Sequence, residues 1–250
     1  MKHDIVYLLK NDYKSEELRY SVRSVMRNFP FNRIIFVGGC PEYMGADIRI
    51  YDKQIGSTKW ERSSHSLKVA LMNDDLTEDV WLFNDDFFVM NKVESEINYF
   101  GGSLEYRIHE LKRNTGRTSG YARNLEILRR DLLLMKKDAL SFCLHVPMLV
   151  NRSKALMLFE QFPGLRMFRS MYGNYYEIPC SYMKDVKVYD NESVPNSDFL
   201  STTDESFKDG KVGQFIRASF PNPCRYELEC GANFAEYKEL YTEEGDTRHD

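Results

Sequence analysis

No apolar stretch of this chain approaches the roughly 20 residues that span a bilayer, and Met1-Lys2-His3-Asp4 runs directly into a strand-like segment with no leader pattern. The expectation is a cytoplasmic protein without a membrane span. A cysteine framework is missing too. The five cysteines (Cys40, Cys143, Cys180, Cys224, Cys230) are odd in number, widely spaced and free of any C-x-x-C pair, which excludes a disulfide scaffold and a structural zinc site. They read as reduced, mostly structural thiols. Excess charge of one sign is also absent: 34 basic residues stand against 38 acidic ones, for a net charge of -4, so nothing draws the whole chain to nucleic acid or an anionic membrane. A local basic groove stays open as a reading. Neither an internal repeat nor a clear linker divides the sequence. We therefore expect one elaborated domain over residues 1–230, with an inserted mobile segment around 100–124 and a polar, acidic tail at 231–250.

What is present suffices for a core, since 42% of the 250 residues are hydrophobic. Asp4-Ile-Val-Tyr-Leu-Leu-Lys10 and Arg33-Ile-Ile-Phe-Val-Gly-Gly39 have the near-continuous apolar character of buried parallel strands, one ending in Asn11-Asp12 and the other in two glycines. Between them, Ser15 is placed to cap a helix whose Leu18, Val22, Val25, Met26 and Phe29 recur at helical spacing, with Glu16 and Glu17 at its positive end. The unit reads as strand, helix, strand with a right-handed crossover. Ile48 to Tyr51 is a weaker third strand, Ser64 to Asn73 a second helix, and VWLFNDDFFV (Val80 to Val89) a fourth strand. This alternation predicts an α/β fold, an open, mostly parallel sheet flanked by helices.

Farther on, the basic, glycine-containing stretch from Arg113 to Arg123 suggests a mobile loop. Leu125 to Leu134, Arg152 to Phe162 and Val212 to Phe220 read as helices, and Asp185 to Asp190 as a strand. Ser141 to Val150 is strand-like but contains Pro147, and an aromatic cluster runs from Phe168 to Tyr176.

VWLFNDDFFV sets two carboxylates and an amide in an apolar run. Strand alternation puts Asn84 and Asp86 on one face and Asp85 on the other. If the strand ends there, all three occupy its C-terminal rim, where open α/β sheets bind ligands. Removing one partner of a buried charge pair costs on the order of 3–5 kcal/mol, so each aspartate needs a cation, a metal or donors. A hard divalent ion shared with a substrate phosphate meets that need. The plainer reading is a capped turn. His145, in an apolar Leu144-His-Val-Pro-Met148 segment, is either a satisfied core histidine or a proton carrier. Arg169, among aromatics, is either stacked on them or a desolvated phosphate grip. Arg19 and Arg23, four residues apart, share the helix face opposite the apolar stripe.

Taken in order, Glu17-Leu-Arg-Tyr-Ser-Val-Arg-Ser24, Asn84-Asp-Asp-Phe-Phe88, His145-Val-Pro147, Phe168-Arg-Ser170 and Phe220-Pro-Asn-Pro-Cys-Arg-Tyr-Glu227 resemble the conserved regions of the Stealth proteins. These are sugar-1-phosphate transferases of microbial capsule and exopolysaccharide synthesis, related to the catalytic subunit of N-acetylglucosamine-1-phosphotransferase. The resemblance spans roughly residues 4 to 227. It implies a nucleotide-sugar-transferase architecture of the GT-A or Rossmann-like kind. It also implies active-centre roles for Asp85 and Asp86, which we expect to hold Mg²⁺ or Mn²⁺, to orient the acceptor hydroxyl, or both. His145 would serve acid/base chemistry and Arg169 phosphate stabilisation; from the residues themselves we expect Arg19 or Arg23 to join Arg169 in gripping phosphate, and Arg19, Arg23 and Asn84 to bind substrate. Asp204, the fifth expected catalytic residue, takes the place of a late Asn-Asp element, with Thr203 where the family has Asn. At the start, Tyr7-Leu-Leu-Lys-Asn-Asp12 departs from the family's Y-T-W-V-D-G-S-D segment.

The expected reaction moves a sugar-1-phosphate from a nucleotide-sugar, in the first instance a UDP-sugar, to a hydroxyl acceptor. A glycan ranks above nucleic acid as that acceptor. A metal-dependent glycosyltransferase moving the sugar alone, onto a glycan or modified DNA, is the first alternative. An inactive sugar-binding module is the second.

Overall fold

The structure, a computed structural model, describes residues 2–11, 16–115, 119–189 and 192–228. In chain order the elements are β1 (Asp4–Leu9), α1 (Glu17–Asn28), β2 (Ile34–Gly38), β3 (Ile48–Ile50), α2 (Lys59–Leu71), β4 (Asp79–Phe83), β5 (Phe87–Val89), β6 (Asn98–Phe100), α3 (Leu104–Thr115), α4 (Gly120–Leu134), β7 (Met148–Asn151), α5 (Arg152–Gln161), α6 (Phe168–Tyr175), β8 (Cys180–Tyr182), β9 (Lys187–Val188), β10 (Phe199–Thr202), α7 (Asp204–Lys208) and α8 (Lys211–Ser219). The main sheet has the order β3-β2-β1-β4-β7. Its first four strands run parallel and β7 runs against β4. The α/β fold with a mostly parallel sheet is thus present as expected.

Strand alternation divides the core. Val6, Ile35, Val37, Val80 and Leu82 face a layer that includes α2, α4, α5 and α6, whereas Ile5, Tyr7, Ile34, Phe36, Trp81 and Phe83 face α1. Both faces of the sheet are therefore apolar, which is why its strands lack a polar alternation. The paired glycines that end β2 have a steric cause. Gly38 has φ +92°, and a Cβ on Gly38 or Gly39 would lie 2.3 or 2.1 Å from the Leu9 or Lys10 carbonyl oxygen.

Several boundaries differ from expectation. VWLFNDDFFV is two strands, not one. β4 stops at Phe83, the chain turns through Asn84–Asp86 with the Phe87 N–H donating to the Asn84 carbonyl at 3.2 Å, and β5 enters a separate sheet of order β5-β10-β9. The alternation argument for Asn84, Asp85 and Asp86 therefore fails, because a turn has no two-residue period. The second helix begins at Lys59 rather than Ser64, because Thr58 and Glu61 form a reciprocal capping box. Helix α3 continues to Thr115 and α4 starts at Gly120, so the ends of the expected Arg113–Arg123 loop are helical. Strand β7 begins only after Pro147, and β9 is confined to Lys187–Val188. Ser15, Asp12, Cys230, residues 116–118 and the 231–250 tail lie outside the described residues, while α1 begins after Glu16 with no side-chain cap.

Strand β5 has β10 on one edge and α1 on the other. The Ser21 hydroxyl donates to the Phe87 carbonyl, the Ser24 hydroxyl accepts the Val89 N–H at 2.9 Å, and the Asn28 amide donates to the Val89 carbonyl at 2.7 Å. Three polar side chains on one helix face thus complete a strand edge that would otherwise be buried unsatisfied. Ser24→Ala leaves the Val89 N–H without that acceptor, at a cost of about 1–3 kcal/mol. Urea titration should show a lower midpoint at unchanged slope, and an unchanged midpoint would show that the edge is satisfied otherwise.

Candidate active site

The strand order places β2 and β3 on one side of β1 and β4 on the other, so the topological switch lies between β1 and β4. At such a point the outgoing connections diverge and leave a crevice beyond the carboxyl ends of the strands. The Asn84–Asp86 turn stands there. Asn84 is exposed, whereas Asp85 and Asp86 are half-buried.

Asp86 is held by groups remote in sequence. Its Oδ2 accepts from Lys187 Nζ at 2.9 Å and from the Ser201 hydroxyl at 2.8 Å. Burial would lower the Lys187 pKa, but the adjacent Asp86 carboxylate more than offsets this and raises it, so the ammonium stays charged at neutral pH. Nearby, Glu17 is buried and accepts from the Thr202 hydroxyl at 2.6 Å. The Tyr7 hydroxyl meets Ser21 at 2.9 Å beneath the turn.

Phe87, immediately after the turn, connects the aspartates to the second cluster. Its ring makes an edge contact with His145, and the Arg169 guanidinium lies 5.3 Å from its centroid. His145 Nδ1 is 2.9 and 3.0 Å from the two oxygens of Asp185, and its backbone N–H donates to Oδ1 at 3.2 Å. Arg107 Nη2 stands 3.9 Å from the same carboxylate. Burial raises the Asp185 pKa, yet the hydrogen bond and charge of His145, with Arg107 behind, bring it below the ordinary value.

Arg169 donates to the carbonyls of Leu144 at 2.9 Å, Val146 at 2.7 Å and Leu82 at 3.2 Å. It thereby ties the histidine loop to the end of β4. Burial pushes its pKa down to about 10, which leaves it protonated at neutral pH. No carboxylate bonds it among the described residues, so its charge is not cancelled by a direct partner.

The two helix arginines are placed otherwise. Arg23 is buried and grips Glu227 with two parallel bonds, Nε to Oε1 at 2.6 Å and Nη2 to Oε2 at 2.7 Å, while Nη1 donates to the carbonyls of Phe220 and Pro221. Arg19 Nε is 3.2 Å from Glu227 Oε2, and its guanidinium covers the Tyr43 ring. Both arginines fasten the 220–227 segment onto α1. Asp204 is exposed as the first residue of α7, beyond β10, and Thr203 caps that helix.

Phe87 thus adjoins Asp86 in the chain and His145 in space, and Arg169 is close enough to feel the Asp86 and Asp185 charges. Sequence reasoning missed Lys187, Asp185, Ser201, Glu17 and Glu227. The one signal for the first two was the alternation of Asp185 and Lys187 with the buried Val186 and Val188.

Neither the family models nor the curated proteins include a match to this chain. Among solved structures it is similar to the galactosyltransferase LgtC in complex with donor and acceptor sugar analogs, at 10% identity over 95% of this chain and 100% of that chain, with a TM-score of 0.46. An active-site mutant of LgtC gives 12% identity, 89% and 98% coverage and a TM-score of 0.47. The apo form of the glycosyltransferase GlyE from Streptococcus pneumoniae TIGR4 gives 13% identity over 74% of this chain and 45% of that chain, with a TM-score of 0.35. All three likenesses are distant.

The Arg23–Glu227 pair has a measurable signature. Glu227 has a lowered pKa: burial opposes ionisation, but the bonds from Arg23 and the Cys224 N–H outweigh it. A depressed folded pKa contributes stability above the ordinary value of 4.5, and that contribution is lost as pH falls through the folded pKa. Arg23→Met should therefore cost roughly 3 kcal/mol at neutral pH, the lower end for a broken buried pair because Arg19 remains. The penalty should shrink in acid to the part owed to the Phe220 and Pro221 carbonyls, which Arg23 bonds whatever the state of Glu227. A penalty that does not change with pH would contradict the pairing.

Proposed function

We propose that this chain transfers a sugar-1-phosphate from a nucleotide-sugar to a hydroxyl acceptor, a glycan, and releases a nucleoside monophosphate. One observation carries the reading: the Asn84–Asp86 turn stands at the topological switch of a parallel sheet, with a histidine and an unneutralised arginine close beside it. The ordered resemblance of the five sequence segments to sugar-1-phosphate transferases supports the same conclusion.

In this reading the acceptor oxygen attacks the sugar-proximal phosphorus. The new O–P bond forms as the bond to the bridging oxygen breaks, the nucleoside monophosphate leaves with that oxygen, and His145 takes the acceptor proton. Negative charge spreads over the phosphoryl oxygens, so fixed positive charge lowers the barrier most. Arg169, held rigid by three carbonyls, has that character. Arg23 is better assigned to holding the fold, since Glu227 neutralises it. Arg19 and Asn84 are left to touch substrate at the rim, and Asp204 to a place on its margin.

Asp85 and Asp86 fit a divalent ion shared with substrate phosphates rather than one caged by protein. No three metal-ligating side chains converge among the described residues, and Mg²⁺ commonly uses one or two carboxylates together with phosphate oxygens. Bound there, Mg²⁺ or Mn²⁺ would neutralise phosphate charge. Lys187 already supplies one positive charge at Asp86.

The departure at Tyr7 to Asn11 from the resembled first motif keeps transfer of the sugar alone as the second reading. Product analysis separates the two. With a panel of UDP-, GDP- and ADP-sugars, a hydroxylated glycan and Mg²⁺ or Mn²⁺, we expect UMP from a UDP-sugar, and UDP alone would overturn phosphotransfer. Asp86→Asn and His145→Ala should each lower turnover by about 10²-fold or more while the far-ultraviolet dichroism stays native. Full turnover in both would remove these residues from the chemistry, and full ligand binding without turnover in the wild type would indicate a binding module.

A further inference from the structure

We infer that Asp185 is the positioning residue of His145, fixing the imidazole with its proton on Nδ1 and its Nε2 lone pair open to the acceptor hydroxyl. This rests on the reading of His145 as proton acceptor.

The geometry is that of a two-point grip. The Asp185 carboxylate accepts both the backbone N–H and the ring Nδ1 of the same residue, so it sets the loop and the ring rotation together. The Phe87 edge contact limits the ring from another side. An ionised carboxylate only accepts hydrogen bonds, so the ring nitrogen facing it must be the donor, and in neutral imidazole the other nitrogen is then bare. Among the described residues no hydrogen bond reaches Nε2.

Asp185 is itself anchored. Val186 and Val188 are buried in two different apolar clusters, the Val186 carbonyl accepts the Ser201 N–H at 3.3 Å, and Lys187 is bonded to Asp86. The buried valines hold the backbone while the Asp185 and Lys187 side chains make their polar contacts at the rim, with His145 and Asp86 respectively. Arg107, from α3, stands behind the carboxylate and is itself bonded to Glu110. One segment thus orients the histidine and steadies the aspartate turn, which gives it a role beyond that of a connecting loop.

The test reads the tautomer directly. In protein labelled with ¹⁵N-histidine, His145 is assigned among the five histidines by the resonances lost in His145→Gln. Near neutral pH the neutral ring should be protonated at Nδ1 and bare at Nε2. In Asp185→Asn the population should move toward the Nε2–H form. With UDP-N-acetylglucosamine as first probe, then the donor that supports turnover, kcat should fall about 10²-fold or more with little change in KM. Asp185→Glu should recover part of the loss. A wild-type ring protonated at Nε2, or unchanged kcat in Asp185→Asn, overturns the inference alone if His145→Gln is inactive. Wild-type turnover by His145→Gln overturns it together with the reading on which it rests. The wild-type spectrum needs no variant, so a failure of Asp185→Asn to fold still leaves a decisive measurement.

Discussion

A carboxylate in a low-dielectric setting must find a partner, and this requirement at Asp86 shapes the half of the molecule that follows β4. A straight strand from Val80 to Val89 would carry two aspartates through the apolar core. The chain instead stops at the fully buried Phe83, turns with Asn84 in solvent, and resumes at Phe87 in another sheet. The new sheet supplies what the carboxylate needs: Ser201 from β10 and Lys187 from β9. Helix α1 must then cover the free edge of β5, which accounts for its serines. The turn is thus the joint between the two sheets as well as the centre of the rim.

The same requirement recurs around the site and is met across long sequence separations each time. Glu227 meets Arg23 from 204 residues away, Thr202 reaches Glu17 across 185, and Asp185 reaches His145 across 40. Such pairs fix the approach of segments that share no secondary structure. Each excludes alternative packings that would strand a charge, a constraint that apolar contacts alone impose less sharply. Ordered polar segments scattered along the chain are therefore what a rim of this kind should look like in sequence.

This also explains what could be read in advance. Strands β1 and β2, helices α1, α5 and α8 and the parallel order follow from apolar periodicity, a local property of the chain. The aspartates and His145 were legible because polar groups in apolar runs are conspicuous. Their partners were not, because Lys187, Ser201 and Asp185 look like ordinary surface residues until the fold brings them in. Arg19, Arg23 and Arg169 were conspicuous too, but a sequence shows an arginine's charge and not whether that charge has been neutralised.

In the proposed reading, that distinction decides which cation would serve phosphate. A guanidinium has five N–H donors. Arg23 directs bonds from Nε, Nη1 and Nη2 to Glu227 and two carbonyls, so both its donors and its charge are engaged. Arg169 bonds three carbonyls. Carbonyl dipoles orient a cation without cancelling it, so its charge persists in a desolvated place, as burial's lowering of its pKa reflects. A desolvated charge that lacks a counterion gains most when an anion arrives, and its rigid support leaves little ordering to be done at that moment. Lys187 differs again, its ammonium being committed to the Asp86 carboxylate. In the proposed reading, a divalent cation engaging Asp86 would share the carboxylate with that ammonium or take it from it, and a phosphate would compete with Asp86 for Lys187.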